Sequence, residues 1–111
     1  MDQTDLIPAA ERYFDLMEGS DKSLVIEVFA PHAVVLDNGH RYAGRDEILG
    51  WLTGPASEFT TTSTWLSASR ADDTASAVIE IAGDFPGSPV ALRYRFTADA
   101  SGQLDSLAIT T

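Results

Sequence analysis

In the stretch AVVLDNGHRYAG, residues 33–44, a carboxylate and an imidazole stand on either side of Asn38-Gly39. Asn-Gly between two strand-like runs is a strong hairpin signal, because a type I′ turn needs positive φ at both central positions. A two-residue turn makes Asp37 and His40 direct cross-strand neighbours, with Cβ atoms roughly 5 Å apart. By strand alternation Val35 and Tyr42 share their face. A carboxylate among apolar groups can carry a proton at neutral pH. An adjacent imidazole can act as a base, tune the carboxylate, or simply pair with it. Two arrangements follow: the pair decorates a wet hairpin tip, or it stands at the mouth of a pocket. His32 and His40 with Asp37 match no known metal-site spacing, so no metal is expected.

The rest of the chain narrows the chemistry further. Its 111 residues suit one domain, residues 1–111, with a single core. Seventeen acids against seven Lys and Arg give a formal charge of −10, which argues against nucleic acid or an anionic membrane as partner. Cysteine is absent, which removes disulfides and thiolate chemistry. No Gly-rich phosphate loop or nucleophile elbow is present, so nucleotide use and acyl-serine chemistry are not expected, and the expectation is a protein without a cofactor. The first residues, MDQTDLIPAAER, lack the basic and apolar regions of a leader, and no apolar run spans a bilayer; a cytoplasmic location is the expectation.

Three helical segments and then a run of strands must position these groups. In TDLIPAAERYFDLMEGS, Leu6, Ala9, Ala10, Tyr13, Phe14 and Met17 form a stripe of period 3.6, with Asp5 as cap and Gly19 as stop. Ser20 caps a second short helix with Leu24, Val25, Val28 and Phe29 inward, ended by Pro31, where His32 covers the helix end. The hairpin follows, then a third helix, GRDEILGWLTGP, carrying Ile48, Leu49 and Leu52. After Pro55 the period changes to two. The runs SEFTTTSTWLSASR, TASAVIEIAGDF, SPVALRYRFTA and QLDSLAIT read as strands, with turns at Asp72-Asp73, Pro86-Gly87 and Ala100-Ser101-Gly102. Helices followed by an antiparallel meander mean an α+β fold: three N-terminal helices packed on a strongly bent, mostly antiparallel sheet. Trp51, Phe59, Trp65, Phe85, Leu92 and Tyr94, together with Val35 and Tyr42, are the candidates to line a ligand pocket, with core packing as the alternative use. Arg93 and Arg95 belong on the outer face.

The strings RYFDLMEGSD, VFAPHAVVLDNG, YAGRDEILGWL, LRYRF and SGQLDSLAI, in this order and spacing, resemble the NTF2-like superfamily and its SnoaL-like and ketosteroid-isomerase-like branch. The resemblance implies a cone-shaped half-barrel with a pocket at its open end, in a homodimer. Steroid isomerases of this superfamily use a first-helix Tyr as oxyanion donor and an Asp at the end of the first strand as base. Tyr13 and Asp37 occupy the matching positions. The further, protonated Asp of that mechanism falls on Leu92 and is missing. SnoaL-like cyclases draw an acid-base carboxylate from a later strand, for which Asp84 and Asp105 are the candidates. The reading is a protein that binds a small, largely apolar molecule and moves a proton next to a carbonyl, with Tyr13 polarising the carbonyl, Asp37 carrying the proton and His40 tuning Asp37. The alternative is a non-catalytic ligand-binding or dimerisation domain of the same fold.

Overall fold

The computed structural model of the chain describes residues 7–17, 22–54 and 61–111. The expected helix caps at Asp5 and Ser20, the stop at Gly19, and Phe59 lie outside the described residues. Helix α1 (Pro8–Met17) starts with Pro8, whose missing N–H costs nothing in a first turn, and buries Ala9, Ala10 and Tyr13. A 3₁₀ helix (Lys22–Val28) follows. Strand β1 (Phe29–Asp37), strand β2 (His40–Ala43) and helix α2 (Gly44–Thr53) come next, and then β3 (Thr61–Ala71), β4 (Thr74–Gly83), β5 (Val90–Ala98) and β6 (Leu104–Thr110). The architecture is α+β, as expected, with six strands in one sheet of order β2-β1-β6-β5-β4-β3. All neighbours are antiparallel except β1 and β6, which run parallel.

Four expectations for the second helical segment, at Leu24, Phe29, Pro31 and His32, are corrected. It is a 3₁₀ helix that ends at Val28, and Phe29, Pro31 and His32 belong to β1. Pro31 therefore does not end a helix; it sits in a stretch of β1 where the register with β6 shifts, between Phe29 and Val34, and a missing N–H is tolerated there. His32 is exposed on that strand and covers no helix end. Leu24, expected inward, is 46% exposed. With three residues per turn, side chains three apart eclipse, so Val25 and Val28 share the buried face and Leu24 is rotated off it.

The sheet is bent and unclosed, and its register also shifts between Trp65 and Ser67 and between Thr97 and Ala98. Such shifts sharpen the local twist and let a sheet curve around a core. On the inner face the pairings run Asp37–Ile109–Tyr94–Ala77–Ala68 in one row and Val35–Leu107–Phe96–Ala75 in the next. The small residues of β3 and β4 face the rings of β5, so large and small side chains interlock. Tyr13, Phe29, Ile48, Trp51, Leu52, Phe96 and Leu104 complete the buried core beneath the helices. Arg93 and Arg95 are exposed on the other side, as their alternation requires.

Candidate functional site

The hairpin forms with the predicted pairing: Asp37 opposite His40 and Val35 opposite Tyr42. Asn38 and Gly39 have φ of 49° and 88°, the two positive values a type I′ turn demands. The Asn38 N–H donates to the Ile109 carbonyl at 2.9 Å, tying the turn to the end of β6. This anchoring aims Asp37 at the inner face.

Helix α2 then brings a partner to the carboxylate. The Arg45 guanidinium donates through Nε and Nη2 to the Phe29 carbonyl, at 3.1 and 2.8 Å, and so fixes the start of α2 against the start of β1. Glu47 Oε1 accepts the Ala43 N–H at 2.9 Å, which caps the helix in the absence of a capping side chain at Ala43 itself. Two turns on, Trp51 is 2% exposed, and its indole Nε1–H donates to Asp37 Oδ2 at 3.0 Å. Sequence reasoning placed Trp51 only among pocket-lining candidates. Its signal was available: a buried indole N–H needs an acceptor, and Asp37 is the carboxylate on the adjoining strand.

The charge of Asp37 acts on two phenols, that of Tyr13 on α1 and that of Tyr94 on β5. The Tyr13 phenol is held well above its ordinary value, chiefly by burial and then by electrostatic interaction with Tyr94 and Asp37. The Tyr94 phenol is pushed up to about 12, by burial first and by Asp37 second. Both therefore stay protonated, as donors, at neutral pH. Phe14 contacts both, its ring centroid 5.2 Å from Tyr13 and 5.3 Å from Tyr94, and 4.8 Å from Trp65 on β3. Among the described residues neither phenol hydroxyl has a hydrogen-bond partner in the protein, and no buried polar side-chain atom is left unpaired. Tyr13 is 3% exposed and Tyr94 is half-buried.

The other candidates divide. Tyr42 is half-buried with its ring 6.1 Å from Trp51, and Trp65 and Leu92 are half-buried on the inner face. Val35 is fully buried in the core, one row below Asp37. Phe85 is half-buried in the loop between β4 and β5. His40 is exposed across the turn, while the carboxylate opposite it is engaged by Trp51. Asp84 is exposed beyond the end of β4, and Asp105 lies at the β5–β6 register shift, so neither joins Asp37, Tyr13 and Tyr94. A separate depression of about 250 Å³ beside the β3–β4 turn, lined by Ile7, Arg70, Asp72 and Asp99 among others, contains none of the three. Among the described residues no three His, Asp or Glu converge as a metal site, and no helix is long and apolar enough to cross a membrane.

A bent, unclosed six-stranded sheet packed with helices is the NTF2-like, ketosteroid isomerase-like fold of α+β proteins. Within it the chain belongs to the SnoaL-like domain family, whose model matches residues 10–103. No curated protein matches the sequence. Among solved structures, a candidate polyketide cyclase from Sinorhizobium meliloti is similar at 34% identity and a TM-score of 0.89, covering 99% of this chain and 100% of its own. A Catenulispora acidiphila protein with a ketosteroid isomerase-like fold, solved with trimethylamine, shares 17% identity at a TM-score of 0.76, covering 94% and 85%. A Mycobacterium tuberculosis protein solved with estradiol-17β-hemisuccinate shares 12% identity at a TM-score of 0.74, covering 93% and 90%. The last two are likenesses of fold.

Proposed function

We propose that the chain binds a small, largely apolar carbonyl compound on the inner face of the sheet and moves a proton at the carbon beside the carbonyl. The observation that carries this reading is the Asp37 carboxylate held on the inner face by the Trp51 N–H, with its charge acting on the phenol of the buried Tyr13. Asp37 takes the proton from carbon, the C–H electron pair moves into the carbonyl to give an enolate, and the Tyr13 O–H donates to the oxygen where charge develops. The protonated Asp37 returns its proton to a carbon of the enolate. Trp51 already occupies Oδ2, which leaves Oδ1 as the atom that carries the proton. The steroid-derivative complex and the candidate cyclase among the similar structures support a small, largely apolar ligand. His40, exposed across the turn, has no step in this scheme.

One observation favours a second reading, a binding or dimerisation domain without chemistry: the position of the assisting acid holds Leu92. Deuterium exchange separates the two. With 2-tetralone in D₂O followed by proton NMR, the protein should accelerate loss of the α-proton signals. Asp37→Asn should abolish the acceleration while retaining ligand binding, and Tyr13→Phe should slow it by about 10²–10³-fold. Exchange no faster with the wild-type protein than with Asp37→Asn leaves the binding domain as the reading.

A further inference from the structure

We infer that Tyr94 is a second hydroxyl donor to the ligand oxygen that Tyr13 contacts, standing in for the acid missing at Leu92. The inference rests on the proposed function and adds a residue to it. The register supplies the first argument. Asp37 pairs with Ile109 and Ile109 with Tyr94, so only one inward residue separates the carboxylate from the Tyr94 backbone. Two strand spacings make about 10 Å, a gap that Tyr94 narrows by its own length. Leu92 lies on the same face of the same strand two residues earlier, half-buried and without a polar atom to offer.

Packing supplies the second argument. Tyr13 and Tyr94 converge on the same two rings: both touch Phe14, and Phe96 lies 5.5 Å from Tyr13 and 6.1 Å from Tyr94. Tyr94 lies parallel to Phe96 with an interplanar angle of 10°, which fixes its ring plane. The charge of Asp37 raises both phenols, and ionisation of Tyr94 would raise Tyr13 further. Among the described residues the two hydroxyls are without protein partners, so both are available to a single acceptor. Two neutral donors beside one carboxylate select the ligand class. A neutral ketone or enone oxygen accepts from both, whereas a ligand carboxylate at that place meets the charge of Asp37.

The test uses 2-naphthol, whose ionised oxygen mimics the enolate and whose two protonation forms fluoresce at different wavelengths. It is carried out in Asp37→Asn, where the opposing charge is removed, with naphthalene as a probe of the same rings lacking the hydroxyl. Tyr94→Phe should weaken 2-naphthol binding about ten- to hundredfold, as should Tyr13→Phe, with naphthalene affinity nearly unchanged in both. If Tyr13→Phe weakens 2-naphthol and Tyr94→Phe does not, the Tyr94 assignment is overturned and the proposed function stands. If Tyr94→Phe weakens both probes equally, Tyr94 only packs, and the assignment is likewise overturned. Silence of both variants, or failure of the Asp37→Asn protein to bind 2-naphthol, overturns the proposed function as well.

Discussion

Removing the Trp51–Asp37 hydrogen bond should expose how firmly the site is held, independently of any substrate. The donor is 2% exposed and 3.0 Å from an oxygen that carries charge, a geometry at which a hydrogen bond contributes about 1.5–3 kcal/mol. Trp51→Phe also removes roughly 40 Å² of apolar surface, about 1 kcal/mol at 25 cal/mol per Å². The single variant should therefore lose about 2.5–4 kcal/mol, a large part of the 5–15 kcal/mol typical of a domain. Asp37→Leu removes the acceptor and leaves the buried indole N–H without a partner. In that background Trp51→Phe should cost about 1 kcal/mol or less, because the N–H it deletes has already lost its acceptor. Urea unfolding of the wild type, both singles and the double gives the coupling energy directly, expected at about 1.5–3 kcal/mol. A coupling below about 0.5 kcal/mol, the range of independent sites, would refute the reasoning that this contact fixes Asp37.

Alkaline stability should track the phenols. Tyr94 holds its proton to about 12 against an ordinary value of 10, so its contribution is complete below pH 10 and drains as pH rises to 12, by at most about 3 kcal/mol. Tyr94→Phe should flatten the fall in urea midpoint over that window; an unchanged slope contradicts the burial of this hydroxyl. At the hairpin, Gly39 has φ of 88° and open space around the Cβ position, so Gly39→Ala should cost about 1–2 kcal/mol through backbone strain alone. Gly39→Asn should recover part of that loss, and a neutral Gly39→Ala in thermal unfolding would mean the turn relaxes to another type. A homodimer, which the family resemblance implies, would use the outer face of the sheet, which carries the exposed Arg93 and Arg95 and also Leu36 and Leu66. Light scattering at micromolar concentration should then give about twice the 11.9 kDa chain mass, and the monomer mass alone rejects the dimer.

The parts of this protein legible from its sequence are those decided within a few residues. Asn38-Gly39 dictates its own turn, and that turn sets Asp37 opposite His40 because only two residues separate the strands. The stripe of α1, the inward parity of Leu92, Tyr94 and Phe96, and the outward Arg93 and Arg95 follow from periods of 3.6 and two. The second helical segment was less legible, since one short run of apolar residues fits an α-helix, a 3₁₀ helix or a strand, and packing chose 3₁₀ up to Val28 and strand from Phe29. What local pattern does not contain is which side of the Asp37–His40 pair is dry. That depended on β1 lying parallel to β6, which carries Asp37 toward Tyr94, and on Arg45 pinning α2 so that an indole fourteen residues from the carboxylate reaches it. Turn and helix preferences are energies of neighbouring backbone and side-chain atoms. The site is an outcome of long-range pairing, where burial of the whole core decides which polar groups meet.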